Sequence, residues 1–190
     1  MILSAKNLTK SFSSSEGKFY VFKNLSIKID KSDLITIMGP SGSGKSTLLN
    51  ILGTLDTFDD GSIVFDQKNI SDLNKDQISK IRNKHIGFVF QYHHLIPEFN
   101  AIENVLIPQQ IFGKKINENY AKELLDYLGL SHRIKHYPAQ LSGGEKSRVA
   151  IARSLINKPA LIFADEPTGN LDLENAKNLV DLLKKINKDF

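Results

Sequence analysis

Nine consecutive residues, Gly39, Pro40, Ser41, Gly42, Ser43, Gly44, Lys45, Ser46 and Thr47, carry the spacing G-x-x-x-x-G-K-[ST]. A nucleoside triphosphate is a dense anion, and taking it out of water requires many donors at once. Glycines let a loop curl so that successive main-chain N–H groups converge, and a helix that begins there adds its positive end. Lys45 is placed to bridge the outer two phosphates, and the Ser46 hydroxyl to sit on a magnesium ion. A second group of candidates is Asp165 and Glu166, which follow the apolar run Ala160–Ala164. Ligands gather at the carboxyl ends of parallel strands. An aspartate there suits Mg²⁺, and a glutamate one residue on suits orienting or deprotonating a water. Gln91 also ends an apolar run, Gly87–Gln91, so its amide could reach the same metal or water.

A third cluster is Leu141, Ser142, Gly143, Gly144 and Glu145, just ahead of a helical stretch. Ser142 is a good N-cap, and two glycines at a helix start expose main-chain N–H groups that the helix itself does not use. One chain therefore carries two anion sites. The adjacent His93 and His94 do not suggest a metal site, because no carboxylate cluster joins them.

These groups need a scaffold, and the hydrophobic spacing describes one. Phe19–Phe22 and Leu25–Ile29 read as strands. Leu34–Met38 is a near-continuous apolar run, the pattern of a central parallel strand covered on both faces, and it leads into the glycine loop. Leu48–Leu52 continues as a helix, Ser62–Phe65 as a strand entered through the turn at 59–61, and Gly87–Gln91 as another strand. From about Tyr92 to Gln140 the spacing turns helical: Tyr120, Ala121, Leu124, Leu125 and Leu128 share a face, with Gly129 as the C-terminal cap. Ser142–Ile156 is expected to be a helix stopped before Pro159, Ala160–Ala164 a buried strand, and the last segment an amphipathic helix with Leu179, Val180, Leu183 and Ile186 inside. Ser13–Gly17 reads as a short loop.

The 190 residues suffice for one substantial core. Without a cysteine, disulfides and thiolate metal sites are excluded. The net charge of +4 comes from scattered lysines and arginines, a solvated surface and not a nucleic-acid face. No stretch approaches the roughly 18 apolar residues of a membrane helix, so work at a membrane would need a second chain to supply the span.

Together, the glycine loop and Leu141–Glu145 resemble the ATP-binding cassette (ABC) family, whose signature sequence is L-S-G-G-[QE], and the likeness runs through the whole chain. It implies an α/β P-loop NTPase fold with a parallel-strand core, an N-terminal antiparallel β subdomain and a helical insertion. The implied partition is a core from 1–91 and 157–190 with a helical subdomain at 92–156. It implies ATP and Mg²⁺ as cofactors, with Ser46, Gln91 and Asp165 around the metal and Glu166 and Gln91 catalytic. Phe12 takes the place of the aromatic that stacks on adenine. Gly169, Asn170, Leu171 and Asp172 match the loop that touches an opposite subunit. Two chains would pair head to tail, each ATP held by one P-loop and by the partner's Leu141–Glu145, with Ser142 and Gly144 on the γ-phosphate.

Asn50–Asp56, Gln91–Val105 and Asp165–Asp172 narrow the resemblance to ATPases of lipoprotein-releasing complexes, ahead of the macrolide-exporter and cell-division branches that share Gly-Asn-Leu-Asp. That branch implies a peripheral position on the cytoplasmic face of a bacterial inner membrane. It also implies integral permease subunits of the LolC/LolE kind as partners, received around Tyr92–Val105. Family members carry a γ-phosphate-contacting histidine on a strand well after Asp172, and His85, His93, His94, His132 and His136 do not match its place. That departure gives an expectation of a shortened chain lacking a C-terminal strand and helices, with slow turnover.

Overall fold

The computed structural model describes residues 1–190 apart from 16, 112 and 114. Two compact units divide the chain, Met1–Arg82 and Asn83–Phe190.

The first unit is built on two long strands, β1 (Leu3–Ser14) and β2 (Gly17–Ile29), with β3 (Asp60–Phe65) and the short β4 (Lys68–Asn69). All pairings are antiparallel and the order is β2-β1-β3-β4. β1 lies between two neighbours, so Leu3 faces both Ile29 and Phe65 across its ladders. Leu3, Ala5, Leu8, Ile29, Ile63 and Phe65 form the buried side. The separate strands expected at Phe19–Phe22 and Leu25–Ile29 are one strand, and in the segment expected as a loop, Ser13–Gly17, the residues Ser13, Ser14 and Gly17 instead belong to β1 and β2 and pair across the hairpin. Residue 16 lies outside the described residues. Helix α1 (Lys45–Leu52) follows the glycine loop and buries Leu48, Ile51 and Leu52.

The central strand expected at Leu34–Met38 is absent, and Leu34 and Met38 are 58% and 87% exposed. An apolar run becomes a strand only where neighbours supply a ladder for its N–H and C=O groups. Among the described residues no strand pairs with this segment.

Helix α2 (Lys75–His85) crosses into the second unit. There β5 (Ile86–Phe90) and β6 (Leu161–Asp165) form a parallel pair, with Phe90 opposite Asp165. Around them pack α3 (Ala101–Gln110), α4 (Glu118–Tyr127), α5 (Gly143–Leu155) and α6 (Leu173–Asp189). One core joins Val89, Val105, Leu124, Leu125, Ile151, Leu155 and Leu179. Gly129, at φ 71°, ends the α4 segment as expected, its N–H donating to Asp126 and that of Leu130 to Leu125. In α6 the buried stripe is Leu179, Leu182, Leu183 and Ile186, at spacings of three and four. Val180 was expected inside but is exposed, since it lies about 100° around the helix from Leu179.

Candidate nucleotide site

In the first unit, the loop from Gly39 to Ser43 is exposed and leads into α1. Gly44 is the N-cap of α1 at φ 90°, a left-handed conformation that costs a side-chain-bearing residue strain. A Cβ there would collide with Val21 Cγ1. Gly44 itself makes no side-chain cap bond, and no acidic residue occupies the first turn of α1. A helix N-terminus entered through a glycine turn is an arrangement that receives an anion. The Lys45 ammonium folds back over the loop and donates to the carbonyls of Gly39 and Pro40, both at 3.0 Å. It is thus held on the inner side of the curl. Ser46 is exposed and Thr47 half-buried on the first turn.

Phe12 lies near the end of β1, opposite Phe19 on β2, and both rings are exposed, at 50% and 62%. Phe12 is therefore not a core aromatic. Beneath it is a group that sequence reading did not single out. Lys10 is buried, with its ammonium 5.1 Å from the Phe12 ring centroid, 3.0 Å from the Asp56 carboxylate and 2.7 Å from the Thr57 carbonyl. A lysine at this place looks like one more surface charge until the structure shows Asp56 and Thr57 beneath the strand.

In the second unit, Gln91 leaves β5 beside the end of β6, where Asp165 is the last residue. The parallel register, Phe90 against Asp165, brings Gln91, Asp165 and Glu166 to one end of the pair. Asp165 is half-buried and Glu166 exposed. Glu166 holds φ 44°, a conformation that non-glycine residues keep only when their surroundings impose it, and one that concentrates at functional sites. The turn behind it is closed by Gly169 N–H donating to the Glu166 carbonyl at 2.9 Å. Gly169 also passes so near Gln91 that a Cβ would lie 2.8 Å from the Gln91 side-chain nitrogen. The Asn170 amide donates to the Gln91 carbonyl at 3.0 Å. Gly169–Asp172 and the residue after β5 are thus knit together. Asp172 caps α6, accepting from the Asn175 N–H at 2.9 Å, and that bond is the main cause holding its carboxyl below the ordinary range.

The Leu141–Glu145 segment behaves as a capped helix start with an exposed rim. Ser142 Oγ accepts from the Glu145 N–H at 3.2 Å, and Glu145 Oε2 accepts from the Ser142 N–H at 2.7 Å. That box satisfies the Glu145 N–H and leaves the N–H groups of Gly143 and Gly144 out of it. Ser142 and Gly143 are exposed, while Leu141 and Glu145 are buried. Arg133 donates to Glu145 Oε1 at 2.8 Å. The Glu145 side chain therefore points back to its own helix start and to Arg133. The glycine backs are close to Gly169–Asp172 and the start of α6, with Cβ positions 3.7 Å from Leu171 and 3.5 Å from Asn175.

A helix-start anion site and a carboxylate pair on parallel strand ends define a P-loop NTPase, and the cap with paired glycines narrows that class to one family. The ABC transporter family model matches residues 22–169, and the chain belongs to that family. It is an ATPase of the cassette type. Similar curated relatives include the lipoprotein-releasing system ATP-binding proteins LolD of Cytophaga hutchinsonii and of Bacteroides fragilis. The first is 49% identical over 195 residues, covering 100% of this chain and 87% of the relative. The second is 49% identical over 187 residues, with 97% and 85% covered. Among solved structures, the dimeric form of MJ0796, a bacterial ABC transporter cassette, superposes with a TM-score of 0.88 at 42% identity, covering 99% of this chain and 84% of that one. A post-hydrolysis form of MJ0796 bound to ADP and Pi matches equally well, again at 0.88 and 42% with the same coverage.

Proposed function

We propose that this chain is the ATPase subunit of a lipoprotein-releasing complex, bound to the cytoplasmic face of a bacterial inner membrane by permease subunits of the LolC/LolE kind. The observation that carries this reading is the match, along nearly the whole chain, with relatives named for lipoprotein release. No helix among the described residues is long and apolar enough to cross a membrane, so the span falls to the partners.

In this reading two copies close head to tail on two ATP molecules. Gly39–Thr47 hold the triphosphate of their own chain through main-chain N–H groups and Lys45, and Phe12 stacks on the adenine. Ser142, Gly143 and Gly144 reach the partner's γ-phosphate, while Leu141 and Glu145 anchor that helix start. Gly169, Asn170, Leu171 and Asp172 face the opposite copy. Ser46, Gln91 and Asp165 offer only oxygen ligands, the donor set a hard cation such as Mg²⁺ takes. When bound, the ion withdraws charge from the phosphates. Glu166 then orients the attacking water and takes its proton. Residues 1–91 and 157–190 would serve as the nucleotide core and 92–156 as the helical subdomain.

The test is capture of the partner. Glu166→Gln removes the proton acceptor, so ATP should stay bound and the closed form persist. Membranes solubilised with this variant and ATP should yield a stoichiometric permease with a large periplasmic domain, and lipoproteins should accumulate unreleased when the variant is produced in cells. Recovery of a permease whose loss leaves lipoprotein release intact would overturn the assignment.

A further inference from the structure

The two residues after Tyr92 are held by one helix at two points. His93 Nε2 lies 2.8 Å from Ser147 Oγ, and that hydroxyl donates to the Gly143 carbonyl at 3.1 Å. A hydroxyl has a single proton. With Ser147 donating to Gly143, the Nε2–H tautomer of His93 lets both bonds form at once. In the last turn of α5, Arg153 donates Nη2 to the His93 carbonyl and Nη1 to the His94 carbonyl, both at 2.6 Å. His93 and His94 hold φ of 60° and 46°. Two successive left-handed non-glycine residues are costly, and such a backbone persists only where its surroundings fix it. The Arg153 fork supplies that fixation, and the edge of the His94 ring against Phe90, at 5.1 Å between centroids, adds to it.

The consequence is a short mechanical path. Gln91 is two residues from His93, His93 is bonded to Ser147, and Ser147 is bonded to Gly143 at the start of the helix that Ser142 caps. Loop and helix start cannot shift independently without breaking one of these bonds.

We infer that His93, Ser147 and Arg153 are positioning residues that lock the loop bearing Gln91 to the Ser142–Gly144 helix start, so that one chain's contact with its own nucleotide and its contact with the partner's nucleotide move as one body. The inference rests on the proposed roles of Gln91 and Ser142. None of the three is among the residues proposed to hold nucleotide or metal.

The test uses the full chain with ATP and Mg²⁺. His93→Leu and Ser147→Ala each remove the bond to the helix start, whereas His93→Gln keeps an N–H donor of similar reach. The expected result is a fall in kcat of about tenfold for His93→Leu and for Ser147→Ala, with ATP affinity within about twofold and His93→Gln within about twofold of the parent in both. Arg153→Gln should lower kcat in the same way, and Arg153→Lys should restore only part of it because an ammonium does not span two carbonyls as a fork does. Equal loss in His93→Leu and His93→Gln, unchanged kcat in His93→Leu, or a raised KM at unchanged kcat would each overturn the inference. Lys45→Ala separates the two levels. Intact ATP binding in Lys45→Ala sinks the underlying site reading, while lost binding there together with parental kcat in His93→Leu sinks this inference alone.

Discussion

Arg133 Nε and Glu145 Oε1 meet at 2.8 Å, so the acidic residue of the Leu141–Glu145 motif is engaged within its own chain. The same carboxylate accepts from the Ser142 N–H, and this main-chain bond is the largest cause that pulls its pKa from an ordinary 4.5 to about 2, with Arg133 assisting and burial opposing. Glu145 thus sets where Ser142 sits without itself facing outward.

A folded-state pKa below the unfolded one adds stability that is fully present above the unfolded value and disappears as pH falls through the folded value. For Glu145 that window runs from 4.5 down to about 2. A depression of this size corresponds to about 3 kcal/mol. Glu145→Gln should therefore be less stable than the parent by about 2–3 kcal/mol in urea at pH 7, and the gap should shrink by more than half by pH 3. A gap that stays constant across that range would mean that the carboxylate charge contributes nothing.

Glu166→Gln and Asp165→Asn should separate proton transfer from metal binding. The first should lower kcat by about 10²–10⁴-fold while ATP affinity stays within about twofold. The second should raise the Mg²⁺ concentration needed for half-maximal rate. Steady-state hydrolysis across a magnesium series distinguishes them. The left-handed backbone at Glu166 is a further reason to expect that its side chain, and not its neighbour's, is aimed for the reaction.

Phe12→Ala should weaken ATP binding by about 1–3 kcal/mol, the range for an aromatic platform under a base. Because half the Phe12 ring is already exposed, the melting transition should change by less than about 0.5 kcal/mol. Equilibrium binding and thermal unfolding on the same sample decide the matter. A large stability loss with unchanged affinity would make Phe12 a packing residue.

Most of this site was legible because its chemistry is local in sequence. The glycine loop, the cap at Ser142 and the Asp165–Glu166 pair are each contiguous, and N–H groups at a helix start follow from the chain's own turn and cap residues. What was not legible depends on partners far along the chain. Lys10 became notable only with Asp56 and Thr57 beside it, and Arg133 only with Glu145. His93 invited comparison with His94, yet its partners are Ser147 and Arg153, more than fifty residues on. The fold failed to follow the sequence at Leu34–Met38 for the same reason: an apolar run records a demand for burial, and a ladder must come from elsewhere.

The central claim is that two sets of main-chain amides, one at Gly39–Thr47 and one at Ser142–Gly144, belong to the same triphosphate but to different molecules. The natural absence of cysteine allows a direct measurement. Two differently tagged chains, one with Ser41→Cys and one with Ser142→Cys, both also carrying Glu166→Gln, are mixed and treated with a short bis-maleimide. The account predicts a cross-linked heterodimer that forms with ATP and not without it, and that fails to form when either cysteine is omitted. Cross-linking that ignores ATP, or chains that stay monomeric at saturating ATP, would contradict it.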